Sequence, residues 1–375
     1  PLLSLVNVPV LATTLQGWVN AYKEGGWLPK WASPGYRGSM VGTMGDVSLA
    51  DAIVKGIPGF DKDGAYEAIR KDAFEPPPPS ANGMGRECLA TYLKFGYIPH
   101  GTCSEVVSRT LDYLQADYAI ANAAELLGYA DDATTLRSRA ANYSSMFDFS
   151  SGFMRSIDLA TGKFTEPFDQ FAWGGDYTEA GPWQYRFSLP YDAPGLANMY
   201  RDADMDICSV LEQTQTMASI YHIGDYSNQI HEMTEMAVNC ACAARGQYYL
   251  RKAMRELYKP NNNMFAGDED NGEMGAWYVL SALGLYSLSP GTEDYVFGSP
   301  LFEKVTINLE GNGRQHSMST PTLVIEAVDN TAENVYVQSV SWNGQAVSLD
   351  SNSISYSELM KGGTLQFVMG SQPLH

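Results

Sequence analysis

Apolar residues recur three and four positions apart from about residue 8 to 288, and two apart from about 292 onward. The first spacing predicts helices and the second strands. In Val107–Leu127 the apolar positions Val107, Leu111, Leu114, Tyr118 and Ala121 fall on one helical face. The next helix is expected after Asp131-Asp132, which can cap it, and runs to about Met146. Further helical stretches are expected over 203–219, 229–258 and 272–285, the last stopping near Gly284. Past residue 292 the segments VTINL, TLVIEAV, NVYVQSVSWNG, SISY and TLQFVMG alternate and are rich in β-branched and aromatic residues. Asn343-Gly344 is a hairpin signal. The chain therefore reads as mainly α: a helical domain over 1–290, then a small antiparallel β domain over 291–375. Long, aromatic, Gly-rich loops between the helices suggest a helical toroid whose site is built from the loops at one end.

Composition narrows the function classes. Hydrophobic residues make up 45% and charged residues 18%, so 375 residues can bury a sizeable core. The net charge is −19 and no Lys/Arg run is present, which excludes a nucleic-acid footprint and disfavours anionic membranes. No apolar run reaches the roughly 18 residues a membrane span needs. Five cysteines (88, 103, 208, 240 and 242) are no disulfide scaffold, and Cys240-Ala-Cys242 is too short for a zinc knuckle. The opening Pro1-Leu-Leu-Ser-Leu-Val6 has no basic signal-peptide region, and a start inside an apolar segment is expected of a piece of a longer protein. The 23 Tyr, 14 Phe and 7 Trp can stack on the apolar faces of sugars, although most are expected to fill the core.

Three carboxylate clusters carry candidate chemistry. The first is Trp173-Gly-Gly-Asp176-Tyr-Thr-Glu179-Ala-Gly-Pro-Trp183-Gln-Tyr185. Aromatic walls round a loop carboxyl exclude water and raise its pKa, as a general acid requires; the alternative is a structural acid satisfied by backbone N–H groups. The second is Gly267-Asp268-Glu269-Asp270-Asn271-Gly272-Glu273, just before a helix. It is either a solvated helix cap or a site that holds a cation or activates water. It is not an EF-hand, because Glu273 stands where that loop requires Gly. The third, His231-Glu232-Met-Thr-Glu235, lacks the second His of a zincin and puts His231 and Glu235 on one helical face, where an ion pair is the plain reading. Two carboxylate loops with aromatic neighbours and no Ser or Cys nucleophile motif point to glycoside hydrolysis.

These motifs resemble glycoside hydrolase family 92, the calcium-dependent exo-α-mannosidases. The similarity runs through Gly25-Gly26-Trp27-Leu28-Pro29-Lys30-Trp31, Met40-Val41-Gly42, Leu49-Ala50-Asp51-Ala52 and Gly96-Tyr97-Ile98-Pro99. It continues through Ser108–Tyr113, Asp176–Glu179, Gly267–Gly272, Gly298–Phe302 and Gly362–Leu365. The resemblance implies an (α/α)6 toroid preceded by a β-sandwich, and single-displacement hydrolysis of terminal α-mannosides with inversion. It implies Glu179 as general acid, with Asp268 and Asp270 positioning and deprotonating water, Asp270 foremost. The acid and base carboxyls of such a site stand roughly 6.5–9.5 Å apart. It further implies sugar contacts at Gly42, Asp46 and Trp173, leaving-sugar contacts at His231 and Glu232 as in α-1,2-acting members, and Ca2+ with Glu235 as a ligand. Mannose-containing glycans are the implied partners, and a secreted or periplasmic setting follows from that function.

Two departures from the family pattern are visible. The chain opens just past the family's Trp-Asp-Thr-aromatic-Arg motif, so the sandwich and first barrel helices are expected in a longer protein. After Glu235, about twenty residues that supply calcium ligands in the family are absent, a change a loop can absorb without unfolding a domain. Weakened or absent calcium binding is therefore expected. The competing readings are an inactive carbohydrate-binding remnant and another (α/α)-barrel glycosidase or phosphorylase.

Overall fold

The computed structural model describes residues 1–32, 36–80, 83–217, 242–262, 264–265, 269–309 and 321–374. It divides into two compact units, Pro9–Tyr191 with Pro290–Thr292, and Pro1–Val8 with Asp192–Ser289 and Glu293–His375.

In the unit built on 9–191, the helix Val106–Leu127 is the centrepiece. It buries residues on every side, among them Val107, Leu111 and Leu114, and stops at Gly128 with φ 86°. A left-handed residue there closes the last turn at no steric cost, which is glycine's use at this position. The helix Ala130–Ala140 packs against it and passes into a 3-10 turn over Ala141–Met146. Asp131 and Asp132 lie inside its first turn rather than capping it. There they face the positive end of the helix dipole, and Asp132 also takes Arg70 Nε at 2.6 Å and Tyr66 Oη at 2.9 Å. Outward of these lie Met44–Val54 and Lys62–Phe74, the latter capped by Asp61, which accepts from Gly64 N at 3.0 Å. Cys88 and Cys103 are joined, with Cα atoms 6.6 Å apart.

In the other unit, the expected helix over 203–219 starts later than expected. Within it only Ile207–Met217 is described as helix, because Asp204, at φ 57°, separates it from an earlier helix, Ala193–Asp202, outside the expected stretches. Of the expected helix over 229–258, Ala243–Glu256 is described, and Cys242 at its cap is joined to Cys208. Two disulfides thus join four of the five cysteines. Glu273–Leu283 ends at Gly284, φ 75°, as its sequence predicts. The main sheet has five strands in the order 345–347, 336–342, 363–370, 322–328, 304–308. It is not wholly antiparallel: Gly363–Gly370 runs parallel to Thr322–Val328, with Leu365 opposite Ile325. The last strand enters between Thr322–Val328 and the hairpin strand Tyr336–Trp342, so it must run with one neighbour and against the other. Asn343 and Gly344 both have positive φ, 51° and 79°, the backbone of a tight hairpin turn that matches strand twist. Among the described residues no helix is long and apolar enough to cross a membrane.

Candidate active site

Glu179 lies on the loop that joins Trp173 to the short helix Pro182–Tyr185. Its residue is exposed and its φ is 48°. That left-handed conformation costs a non-glycine residue of order 1 kcal/mol and persists only where the surroundings fix it. Here they do. Thr178 N donates to Ser108 Oγ at 2.8 Å, Tyr185 Oη to the Thr178 carbonyl at 3.1 Å, and Gly174 N to the Ala180 carbonyl at 2.8 Å. Tyr177 Oη reaches the Met154 carbonyl at 2.7 Å. The Asp176 carboxylate accepts from Ser156 Oγ at 2.6 Å and pairs with His100 Nδ1 at 2.9 Å.

The aromatic surroundings divide in two. Trp183 is buried and packs edge-on to Phe153, with the Arg186 guanidinium 4.6 Å from its ring centre. Trp173 and Phe171 stand out in solvent, 53% and 44% exposed. The walls therefore support the loop from beneath, while Glu179 itself stays open to solvent instead of sealed in as the sequence suggested.

In the other unit, Asp270 also has a left-handed backbone, φ 52°, in the turn Asp270–Gly272. The helix-capping role falls to its neighbour: Glu269 accepts from Gly272 N at 2.5 Å and Gly275 N at 3.3 Å, which leaves Asp270 exposed beside it. The Glu273 carboxyl is pushed up to about 7 by the protein packed round it and by the Asp270 and Glu269 charges. Glu273 keeps solvent access, which screens part of that repulsion. Asp268, His231, Glu232 and Glu235 lie outside the described residues.

The expectation for Asp46 is corrected. Its side chain has no exposed surface and accepts from Thr43 Oγ1 at 2.6 Å and Arg86 at 3.2 Å, so no sugar can reach it. Arg86, also without exposure, turns its other nitrogen to Asp117 at 2.5 Å. Gly42 is buried too, and a Cβ there would stand 2.7 Å from Asp112 Oδ2, so its role in this chain is to make room for that carboxyl. Burial pushes the Asp112 carboxyl up to about 7, against the pull of the Arg109 and Lys30 charges. A cleft of about 420 Å³ lined by Lys30, Pro77, Pro78, Met84 and Glu87 contains none of the predicted site residues. His100 and Ser156 carried no sequence signal of their own, and Ser108 only as the start of the Ser108–Tyr113 motif, because each matters here through its contact with the Glu179 loop.

Among the described residues, no three His, Cys, Asp or Glu side chains gather as a metal site. Calcium takes six to eight oxygens, so the described donors do not fit it.

Solved structures of related proteins resemble this one throughout. The GH92 inverting mannosidase BT2199 of Bacteroides thetaiotaomicron VPI-5482 is 31% identical with a TM-score of 0.86, covering 100% of this chain and 52% of its own. The GH92 α-mannosidase BT3965 of Bacteroides thetaiotaomicron is 28% identical with a TM-score of 0.87, covering 99% and 48%, and has also been solved with mannoimidazole. A protein of Arthroderma benhamiae described as an uncharacterized secreted glycosidase is 27% identical over 393 residues, 94% of this chain and 48% of that protein. This chain thus spans about half the length of the relatives it matches. Its residues 1–371 match the glycosyl hydrolase family 92 catalytic domain, and the chain belongs to that family.

Proposed function

We propose that this chain carries the acid and base groups of an inverting exo-α-mannosidase that removes terminal mannose from glycans. The observation that carries the reading is its family membership together with 31% identity to an inverting mannosidase across the whole chain. The exposed Glu179, on a backbone clamped from both sides, suits a group that must meet a glycosidic oxygen from outside. In this reading the Glu179 carboxyl donates its proton to the leaving oxygen. Asp270, assisted by Asp268, takes a proton from the water that attacks C1 on the opposite face. The bond from C1 to the leaving oxygen breaks as the bond to water forms, and β-mannose leaves.

The family resemblance of His231 and Glu232 supports a preference for α-1,2 linkages, and the exposed Trp173 offers a stacking face for the sugar. Calcium remains the cofactor that the family resemblance implies, with Glu235 as a donor, and no step here depends on it. A secreted or periplasmic setting agrees with the fungal relative. The test is proton NMR of α-1,2-mannobiose incubated with the protein. β-Mannose as the first product supports the proposal, and α-mannose as the first product overturns inversion. Binding of mannoimidazole without turnover by folded protein favours the carbohydrate-binding reading instead.

A further inference from the structure

We infer that Asp176 is a positioning residue that fixes the reach of Glu179, an inference that rests on the reading of Glu179 as the general acid. None of the bonds described above reaches the Glu179 carboxylate; among the described residues they hold the backbone on either side of it. Asp176, three residues earlier, is where most of that hold converges. Its carboxylate takes Ser156 Oγ at 2.6 Å and lies 2.9 and 3.0 Å from His100 Nδ1. Its main-chain carbonyl accepts from Val107 N at 3.0 Å.

Three separate segments meet on this residue. His100 belongs to the loop after Leu89–Phe95, and its own N–H donates to the Ile157 carbonyl at 2.8 Å. Ser156 follows the strand Phe153–Met154. Val107 opens the long helix Val106–Leu127, whose first-turn N–H groups have no partner within the helix. The loop therefore caps the helix through the Asp176 carbonyl, and the helix returns Ser108 Oγ to Thr178 N. Between these anchor points the chain has little freedom, and Glu179 is held in a left-handed conformation it would otherwise leave. A general acid set about 1 Å from its oxygen loses up to about 100-fold in rate, so the anchor bears on turnover and not on folding alone.

The experiment compares D176A, D176N and E179Q with the parent protein on α-1,2-mannobiose and on 2,4-dinitrophenyl α-mannoside, with amide hydrogen exchange read over residues 177–180. D176A is expected to lower kcat on mannobiose by about 10- to 100-fold. KM and turnover of the activated glycoside should each stay within about threefold, since that leaving group needs little protonation. D176N keeps an oxygen for Ser156 and should recover part of the loss. Exchange at 177–180 should quicken in D176A while that of Lys62–Phe74 is unchanged.

Equal losses on both substrates for D176A, while E179Q discriminates between them, would overturn the positioning role and leave Glu179 as the acid. Equal losses for E179Q itself would remove the acid assignment and this inference with it. Where the parent protein shows no turnover, exchange decides: unchanged rates at 177–180 in D176A overturn the inference.

Discussion

Asp46 and Asp72 are both buried and shift each other's ionisation, and no donor among the described residues reaches Asp46 Oδ1 or Asp72 Oδ1. Two coupled carboxyls buried in this way resist ionising together, so the pair retains a proton. Burial raises both carboxyls, and the Asp46 charge raises Asp72 further; Arg86 and Thr43 pull Asp46 back toward the charged form. Unfolded Asp ionises near about 3.9. Above that pH the unfolded chain releases a proton that the folded chain retains. The pair's contribution to stability is therefore largest in acid and falls as pH rises toward the folded values. D72N, which places an amide donor against Asp46 without a titration, is expected to keep or raise Tm at pH 7. It should also flatten the dependence of Tm on pH between about 4 and 7. A D72N protein with lower Tm at every pH and an unchanged slope would show that the pair retains no proton.

The acid role of Glu179 makes a prediction that does not depend on the natural glycan. E179Q keeps the shape of the side chain and removes its proton. Turnover of mannobiose should fall by about 10²- to 10⁴-fold, while that of a dinitrophenyl mannoside falls by less than about tenfold. Losses of the same size on both substrates would take Glu179 out of the acid role.

Calcium removal gives a third outcome. The described residues hold no group of three carboxylate, thiolate or imidazole donors, and Glu235 alone would supply one or two of the six to eight oxygens required. Titration calorimetry is expected to show binding weaker than about 1 mM, and Tm should not change on adding EDTA. Stoichiometric binding at micromolar calcium would mean that a full donor set forms from residues beyond those described.

How far each feature could be read from sequence depends on the range of the interaction that decides it. The helix Val106–Leu127 was legible because its apolar residues recur three and four positions apart, and Gly284 was legible as a stop because left-handed closure is also local. Asn343-Gly344 declared its turn for the same reason. Strand alternation announced which faces of Thr322–Val328 and Gly363–Gly370 are buried, yet carries no information on direction, and the parallel pairing went unread. Asp46 was misread because its motif position resembles a sugar contact. Its real partners, Asp72 and Arg86, lie far along the chain and only the fold brings them together. The loop of Glu179 was visible through its glycines and tryptophans. Its anchoring by His100, Ser108 and Ser156 was not, since single polar residues acquire such roles only from the tertiary approach of their segments.

A fourth prediction concerns Arg251, which is 2% exposed and binds backbone rather than a carboxylate. Its Nη1 donates to the Pro300 carbonyl at 2.6 Å and to Asn330 Oδ1 at 2.8 Å, and its Nη2 to the Thr331 carbonyl at 2.9 Å. The helix Ala243–Glu256 is thereby tied to the segment before Lys304–Asn308 and to the loop after Thr322–Val328. Burial, with the nearby Arg255 charge, lowers the guanidinium to about 10, so the bonds it makes must offset a real desolvation cost. Two effects then compete in R251M. The thioether chain fills most of the volume and abolishes that cost, but it strands the Pro300 carbonyl without its donor, while the exposed Thr331 keeps a carbonyl bond from Arg255 Nη2 at 3.3 Å. Each stranded buried acceptor costs about 1–3 kcal/mol, whereas replacing a buried charge by an apolar chain returns about 1–4 kcal/mol only when its partners are replaced too. Since the Pro300 carbonyl and Asn330 Oδ1 both remain, R251M is expected to be destabilised by about 1–3 kcal/mol. Urea unfolding should show this as a lower midpoint at an unchanged slope. An R251M protein as stable as its parent would mean that water reaches the Pro300 carbonyl once the guanidinium is gone.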